Sequence, residues 1–244
     1  MAASERAVDV LIVYYSRFGT VEALARAVAA GVEEVPDARA HLLKVEDQPI
    51  DEPRLGEDAE AVTLRRAALL DRLMAADAIV LGAPSYFGGM ASPLKRFLED
   101  VLTATQAAGH RTRPWRHYHL RDKVGAAFTA SGTPHGGNEQ TLHSMLTLFM
   151  HLGMIVVTPG QRSPVLEHEA APYGATAISG PEGDRPPDEV AQESARYLGR
   201  RVAEIAAWLK LGRMVWSSWT EDLHGPPPSS LEQSHPHPKF WRQR

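Results

Sequence analysis

Strand-like segments alternate with helix-like segments along most of this chain, and this alternation limits the folds available to it. Five strand-like runs, of which the first is rich in β-branched residues, are each followed by a turn or loop and by a segment with apolar residues at helical spacing. The runs cover residues 8–15, 40–45, 78–81, 124–129 and 154–157. Runs of this length are typical of strands that are buried on both faces. The pattern predicts an α/β protein in which helices cover both sides of a five-stranded parallel sheet.

Three segments do not follow this plan. They are a His- and Arg-rich stretch at 103–120, a long loop at 158–187, and a tail that begins at Gly212 after the final helix. The tail contains three consecutive prolines, which are poorly compatible with a helix interior. We therefore predict one domain over residues 7–211 and an irregular C-terminal extension over residues 212–244.

Composition excludes several classes of protein. The 244 residues include no cysteine, which rules out disulfides, thiolate catalysis, cysteine-bound zinc and iron–sulfur clusters. The formal net charge of -4 gives no argument for a nucleic-acid partner. No apolar run approaches the roughly 20 residues of a membrane helix, and residues 8–15 are interpreted as a strand rather than part of a signal peptide. We expect a cytoplasmic protein that has no metal site and no membrane partner.

The turn after the first strand has the residues of an anion site. It runs Ser16, Arg17, Phe18, Gly19, Thr20 and leads directly into a helix. The free N–H groups of a helix N-terminus attract a phosphate. The turn is neither a P-loop nor a G-x-G-x-x-G dinucleotide motif. The residues leave one alternative open, in which Thr20 only caps the helix and Gly19 only serves the turn.

Two further turns carry residues suited to a ligand. Residues 82–90 follow the third strand and combine small residues with two aromatic rings, while residues 129–139 follow the fourth and expose N–H groups at another helix start. Aromatic rings stack on flat ligands, and clustered N–H groups stabilise negative charge. Each turn alone is compatible with a purely structural role. Because the carboxyl ends of parallel strands meet at one edge of the sheet, the three turns together predict a ligand site there.

These turns resemble those of known flavoproteins. V-L-I-V-Y-Y-S-R-F-G-T-V-E-A-L-A is similar to the phosphate loop of the flavodoxin-like superfamily. A-P-S-Y-F-G-G-M, S-G-T-P-H-G-G-N-E-Q-T, H-L-G-M-I-V-V and P-Y-G-A-T resemble the WrbA family of NAD(P)H:quinone oxidoreductases. The resemblance extends over residues 8–211 and implies a flavodoxin-like three-layer sandwich with strand order 2-1-3-4-5. It also implies FMN as the cofactor, bound by Ser16, Arg17, Phe18, Gly19, Thr20, Val21, Pro84, Ser85, Tyr86, Phe87, Gly88, Ser131, Gly132, Thr133, Pro134, His135, Gly136 and Gly137.

The same resemblance implies an activity. The protein is expected to be an FMN-dependent NAD(P)H:quinone oxidoreductase with NADH or NADPH as co-substrate. Its expected mechanism is ping-pong: hydride transfer through the flavin oxidises the nicotinamide first, and a quinone then takes two electrons in the same pocket. The resemblance implies His151 as the catalytic residue, with Phe18 and Trp115 also contacting the substrate. It further implies a homo-oligomer, a dimer or a tetramer, in which a neighbouring subunit supplies Trp115.

Two departures from the family pattern concern the surroundings of the flavin ring. The glycine-rich loop contains Pro134 and His135 and is one residue longer than the family's run of glycines, and Tyr86 stands where the family often has arginine. Two other functions stay open. One is a flavodoxin-type electron carrier without NAD(P)H activity, although the basic stretch at 110–121 fits poorly with an acidic docking face. The other is a multimeric scaffold with a vestigial flavin.

Overall fold

A parallel sheet with helices on both sides organises the chain. The computed structural model describes residues 7–103, 106–107, 110–111, 119–161 and 171–224. Its strands are β1 Val8–Tyr14, β2 Ala38–Lys44, β3 Ala78–Tyr86, β4 Gly89–Met90, β5 Gln106–Ala107, β6 His110–Arg111, β7 Val124–Ser131, β8 Ile155–Val156 and β9 Ala175–Ile178. Its helices are α1 Thr20–Glu33, α2 Ala59–Ala75, α3 Ser92–Leu102, α4 Asn138–His151 and α5 Glu189–His224.

The sheet has the order β2-β1-β3-β7-β8, and all of these neighbours are parallel. The predicted α/β class and flavodoxin-like strand order are confirmed. The central strands are almost entirely buried: all eight residues of β7 and six of the seven residues of β1 are buried. Burial on both faces explains why the strands appear in the sequence as continuous apolar runs rather than alternating patterns.

The fifth position of the sheet is shared by two short strands. Ile155 of β8 pairs with Val124 at the start of β7, whereas Ala175 of β9 pairs with Phe128 near its end. The prediction of a strand-free loop over residues 158–187 is therefore wrong. Because β8 has only two residues, it leaves the second half of β7 without a partner on that side. The four-residue β9, made largely of small residues, takes that place without producing an apolar run in the sequence.

Two strands extend further than their apolar runs. β3 and β7 stay paired as far as Pro84 and Ala130, beyond the predicted ends at residues 81 and 129. The Thr129 hydroxyl donates to the carbonyl oxygen of Ala83 at 2.7 Å, which ties the two strand ends together. As a result, Ser85 and Ser131 emerge side by side at the carboxyl edge of the sheet.

Helices α1 and α5 pack backbone against backbone. A Cβ atom at Gly31 would overlap the carbonyl group of Arg196, and one at Gly199 would overlap that of Val28. Only glycine allows this close approach at the two positions. The contact fixes α1, and therefore the turn that precedes it, against the last helix of the domain.

The final helix continues beyond its predicted end. α5 runs from Glu189 to His224, so residues 212–224 are helical rather than irregular. A single glycine inside a helix costs about 1 kcal/mol, and Gly212 does not end this helix because the first proline comes only at residue 226. The chain divides into two compact units, Met1–Ala207 and Trp208–Arg244. Within the described ranges, no helix is both long enough and apolar enough to cross a membrane.

Candidate functional site

Two adjoining cavities open at the carboxyl edge of the sheet. The first, of about 380 Å³, is lined by Ser16, Arg17, Phe18, Thr20, Val21, Pro84, Ser85, Tyr86, Ala130, Ser131, Gly132, Ser179, Gly180, Pro181, Glu182 and Gly183. The second, of about 430 Å³, is lined by Ser85, Phe87, Gly88, Ser131, Gly132, Thr133, His135, Gly136 and Gly137. Three residues line both cavities, so together they form one cleft. Each volume is in the range of small-molecule sites.

The cleft brings together nearly all of the residues for which FMN binding is predicted. Gly19 and Pro134 are the two that do not line it. Gly19 belongs to the turn that forms the wall, and Pro134 is exposed in the glycine-rich loop. That these residues bind FMN stays a prediction, whereas their convergence on one cleft is a property of the fold.

Ser16 caps helix α1. Its hydroxyl oxygen accepts hydrogen bonds from the N–H groups of Gly19 and Glu22, both at 3.2 Å. Gly19 adopts a φ of 100°, a left-handed conformation that glycine tolerates well. A Cβ atom at Gly19 would meet nothing within 4 Å, so the turn leaves room next to the helix N-terminus.

Thr20 does not act as the cap that the sequence suggested. Its side chain is buried, and the hydroxyl lies 2.9 Å from the carbonyl oxygen of Arg185 and 3.2 Å from that of Gly183. The hydroxyl therefore links the first turn to the segment that follows β9. We call this link, between Thr20 and residues 183–185, the clasp.

Residues 179–183 form a wall of the first cavity that sequence analysis missed. The N–H group of Ser179 donates to the carbonyl oxygen of Ser131 at 2.8 Å, and the backbone of Gly183 lies close to the ring of Phe18. The signal in the sequence is a glycine–proline turn after a strand. It was overlooked because β9 itself was not predicted.

A neutral phenol lies beside the first turn. Tyr15 donates a hydrogen bond to Asp47 Oδ1 at 2.6 Å. Burial, reinforced by this hydrogen bond, raises the pKa of Tyr15 to about 12. The Arg17 guanidinium stacks over the ring of Phe18, 5.5 Å from its centroid. Phe18 is largely exposed and presents its ring to the cleft.

A strained aromatic residue stands at the second cavity. Tyr86 and Gly89 pair across a hairpin, so Phe87 and Gly88 form its two-residue turn, with φ values of 53° and 78°. Both values are positive, as in the type I′ turn that favours Asn-Gly. A bulky residue in this region is an outlier and costs about 1 kcal/mol. Phe87 is also fully exposed, so no burial of its ring offsets this cost in the isolated chain.

A chain of hydroxyl groups fixes the glycine-rich loop. The hydroxyl of Thr141 donates to that of Ser85, and Ser85 donates to the carbonyl oxygen of Gly136, each at 2.7 Å. The backbones also touch: a Cβ atom at Gly137 would lie 2.7 Å from the Cα atom of Gly88. Pro134 and His135 are both exposed, and His135 also lines the second cavity.

His151 does not line the cleft of its own chain. It is the last residue of α4 and is exposed. The first residue of α4, Asn138, follows the glycine-rich loop directly, and a helix of 14 residues is about 20 Å long. His151 therefore lies near the opposite edge of the sheet. Trp115 falls outside the described residues.

The donors in the cleft suit a phosphate attached to a flat ring system. Backbone N–H groups and hydroxyls surround the first cavity, open space lies next to Gly19 and Gly88, and aromatic rings flank the opening. In the part of the chain that the structure describes, no cluster of three or more His, Asp or Glu side chains has the arrangement to hold a metal ion. These features fit FMN.

Comparisons with known proteins agree with this description. A family model described as NADPH-dependent FMN reductase matches residues 11–164. The chain is 38% identical to an NAD(P)H dehydrogenase (quinone) from Solidesulfovibrio magneticus, with 83% of this chain and 99% of that protein aligned. It is 40% identical to a protein of the same name from Paracoccus denitrificans, over 84% of this chain and 97% of that one. A crystal structure described as a flavodoxin, WrbA-like protein from Agrobacterium tumefaciens matches with a TM-score of 0.55 at 28% identity, covering 82% of this chain and 98% of that one.

Proposed function

The chain belongs to the NADPH-dependent FMN reductase family, in its WrbA-like, flavodoxin-like group, and from that premise we propose that it is an NAD(P)H:quinone oxidoreductase with FMN as its cofactor. One observation carries the proposal. The turns after β1, β3 and β7 converge on a single cleft whose donors fit a phosphate at one end and a flat ring at the other. We call these the phosphate end, formed by residues 16–21 and 179–185, and the ring end, formed by residues 84–90 and 131–137.

The phosphate end would bind FMN through backbone N–H groups. Because Ser16 already caps α1 by accepting two N–H groups, its own O–H remains a donor that can face a phosphate oxygen. The positive end of the α1 dipole adds a favourable field for the anion. Arg17 contributes positive charge at the same wall.

The ring end would orient the flavin and exclude water from it. Tyr86 and Phe87 of the ring end, together with Phe18 of the adjoining phosphate end, are exposed aromatic side chains that line the cleft, and they offer apolar surface to a flavin and to a flat substrate. The N–H groups of the 131–137 loop would stabilise negative charge on the reduced ring. Bound FMN supplies the two-electron redox chemistry between NAD(P)H and a quinone.

We propose that the two substrates occupy one pocket in turn, which is a ping-pong mechanism. Support comes from the shape of the site, because a single cleft serves the ring end. The kinetic test is a matrix of NAD(P)H and benzoquinone concentrations with the FMN-loaded protein. Parallel double-reciprocal lines are expected. Intersecting lines would overturn the shared pocket.

His151 is proposed to act from a neighbouring subunit. The family resemblance gives this histidine a place in the substrate pocket, yet it lies at the far end of α4, about 20 Å along the helix from Asn138, which follows the glycine-rich loop. Both statements hold together in a homo-oligomer in which one copy supplies His151 to another. Sedimentation velocity of the purified protein tests this, and a monomer that retains full quinone reductase activity would exclude it.

The first experiment is an absorption spectrum of the protein after incubation with FMN and desalting. Retained flavin bands near 450 nm that NADH or NADPH bleaches and benzoquinone restores are the expected result. Flavin that stays bound but is bleached by neither nicotinamide would favour a flavodoxin-type electron carrier. A protein that binds no FMN in a direct titration would overturn the proposal.

A further inference from the structure

The phosphate end carries little net positive charge for a site that takes a phosphate. The charged residues that line the first cavity are Arg17 and Glu182, whose charges oppose each other. A phosphate monoester carries about -1.5 to -2 charges at neutral pH. Arg17, moreover, is stacked over Phe18. The side chains that line the cavity therefore neutralise little of the phosphate charge, and the helix dipole and the backbone N–H groups would have to stabilise the rest.

We propose that Arg185 is a cofactor-binding residue that supplies the missing cation to the FMN phosphate. This inference rests on the proposed function, since it concerns the cofactor of the same cleft. Arg185 immediately follows the wall segment and belongs to none of the motifs that the sequence analysis singled out. Its guanidinium is suited to a phosphate because it remains charged and presents several donors in a fixed plane.

The backbone of Arg185 is held at the N-terminus of α1. Its carbonyl oxygen accepts the hydroxyl hydrogen bond of Thr20, the first residue of α1, at 2.9 Å. Its N–H group donates to the carbonyl oxygen of Ser179 at 2.9 Å. The clasp thus places the start of the Arg185 side chain next to the helix end where the phosphate is proposed to bind.

Arg185 is exposed, and its side chain passes Gly180. A Cβ atom at Gly180 would lie 3.7 Å from both Cβ and Nε of Arg185 and 3.9 Å from its Cζ, and Gly180 lines the first cavity. The Arg185 side chain therefore lies beside the backbone of Gly180. Within the described ranges, no carboxylate lies within 4.0 Å of the guanidinium to form an ion pair. The charge is therefore available to a ligand.

Two flavins that differ only in the phosphate test the assignment. FMN and riboflavin are titrated into the full-length apoprotein at low and high salt, with fluorescence as the readout. Arg185→Gln is expected to weaken FMN binding about tenfold at low salt and to leave riboflavin binding unchanged. The salt dependence of FMN binding should decrease in the same variant, and Arg185→Lys should restore part of the affinity. Arg39→Gln, an exposed arginine on β2, is the matched control and should behave as wild type.

The outcomes separate this inference from the proposed function. Unchanged FMN affinity in Arg185→Gln would overturn the assignment of Arg185 to the phosphate, whether or not the KM for NAD(P)H rises. Equal weakening of FMN and riboflavin would also overturn it, because that result means a structural role in the wall. A wild-type protein that binds FMN but does not oxidise NAD(P)H would refute the oxidoreductase proposal and leave the binding result for Arg185 intact.

Discussion

The two ends of the cleft are held together by different interactions. At the phosphate end, side-chain hydroxyl groups make the hydrogen bonds: Ser16 caps α1, and Thr20 forms the clasp by bonding to the carbonyl groups of Gly183 and Arg185. At the ring end, the hydroxyl groups of Thr141 and Ser85 also hold the loop, but the backbones touch directly as well, with Gly137 against Gly88. Hydrogen-bonded segments can part and close again at modest cost, whereas close-packed glycines cannot accept even one added carbon. We therefore expect the ring end to respond to side-chain volume and the phosphate end to respond to polarity and charge.

The largest expected effect comes from added volume at the ring end. Gly137→Ala combines a φ of 83° with a contact of 2.7 Å to Gly88, and it should lower the free energy of unfolding by roughly 2–4 kcal/mol. Urea unfolding of the apoprotein measures this. The matched control is Gly88→Ala, which has a φ of 78° but open space around the added carbon, and it should cost only about 1 kcal/mol. Equal losses of unfolding free energy in both variants would show that the close contact between Gly137 and Gly88 does not make the ring end sensitive to side-chain volume.

The second effect comes from removing one hydroxyl at the phosphate end. Thr20→Val keeps the shape of the side chain but leaves two carbonyl groups without their donor. It should lower the free energy of unfolding by about 1–2 kcal/mol and weaken FMN binding, because the wall is no longer tied to α1. Thr20→Ser retains the hydroxyl and should lie close to wild type in both measurements. A Thr20→Val protein as stable as wild type would show that the clasp contributes nothing.

These contrasts also show how far the sequence determines the cleft. The apolar runs predicted a parallel sheet and the convergence of three turns at its carboxyl edge, and the family resemblance supplied the strand order. The sequence did not predict residues 179–183, because β9 is four residues long and forms only where the short β8 leaves β7 unpaired. That dependence is a property of the tertiary structure, and no local pattern encodes it.

The same distinction applies to single residues. Thr20 was the capping candidate in the sequence, and only the position of residues 183–185 decides that Thr20 bonds away from its own helix, whereas Ser16 caps it instead. His151 was assigned from a family motif, and the length of α4 separates it from the cleft of its own chain. Phe87 was predicted at the ring, but its positive φ follows from the two-residue hairpin between β3 and β4. Sequence motifs identified the residues of the site, whereas the distances between them and their hydrogen-bond partners could be read only from the three-dimensional structure.

A third and smaller effect is a gain in stability at the ring end. Phe87→Asn replaces a strained aromatic residue by one that tolerates a positive φ, and it should raise the free energy of unfolding by about 0.5–1 kcal/mol. The same change should raise the KM for quinone, since the exposed ring no longer contacts the substrate. Phe87→Leu keeps the strain and removes the aromatic ring, so it should lose quinone affinity without gaining stability. Thermal unfolding and steady-state kinetics of the two variants distinguish the effect of backbone strain at Phe87 from the effect of its aromatic ring on quinone binding.

The smallest effect is electrostatic and belongs to the phosphate end. Glu182→Gln removes an exposed negative charge from the first cavity, so FMN should bind about two- to threefold more tightly at low salt. Riboflavin, which has no phosphate, should bind as before. Glu60→Gln, an exposed change at the start of α2, is the control. If FMN binding is insensitive to Glu182→Gln, charge at this wall does not contribute to its affinity.

The divided fifth position of the sheet has a consequence for how this domain can be altered. β8 and β9 each pair with β7 independently, so the sheet does not fix the length of the chain between them. Doubling the length of a loop costs only about 0.6 kcal/mol in closure entropy. A foreign segment, such as a reporter peptide or a binding module, can therefore be grafted between Gly160 and Pro172, whose backbones are hydrogen-bonded to each other, without changing the pairing of either strand. The inserted sequence would be joined to the strand that leads directly into the wall of the cleft.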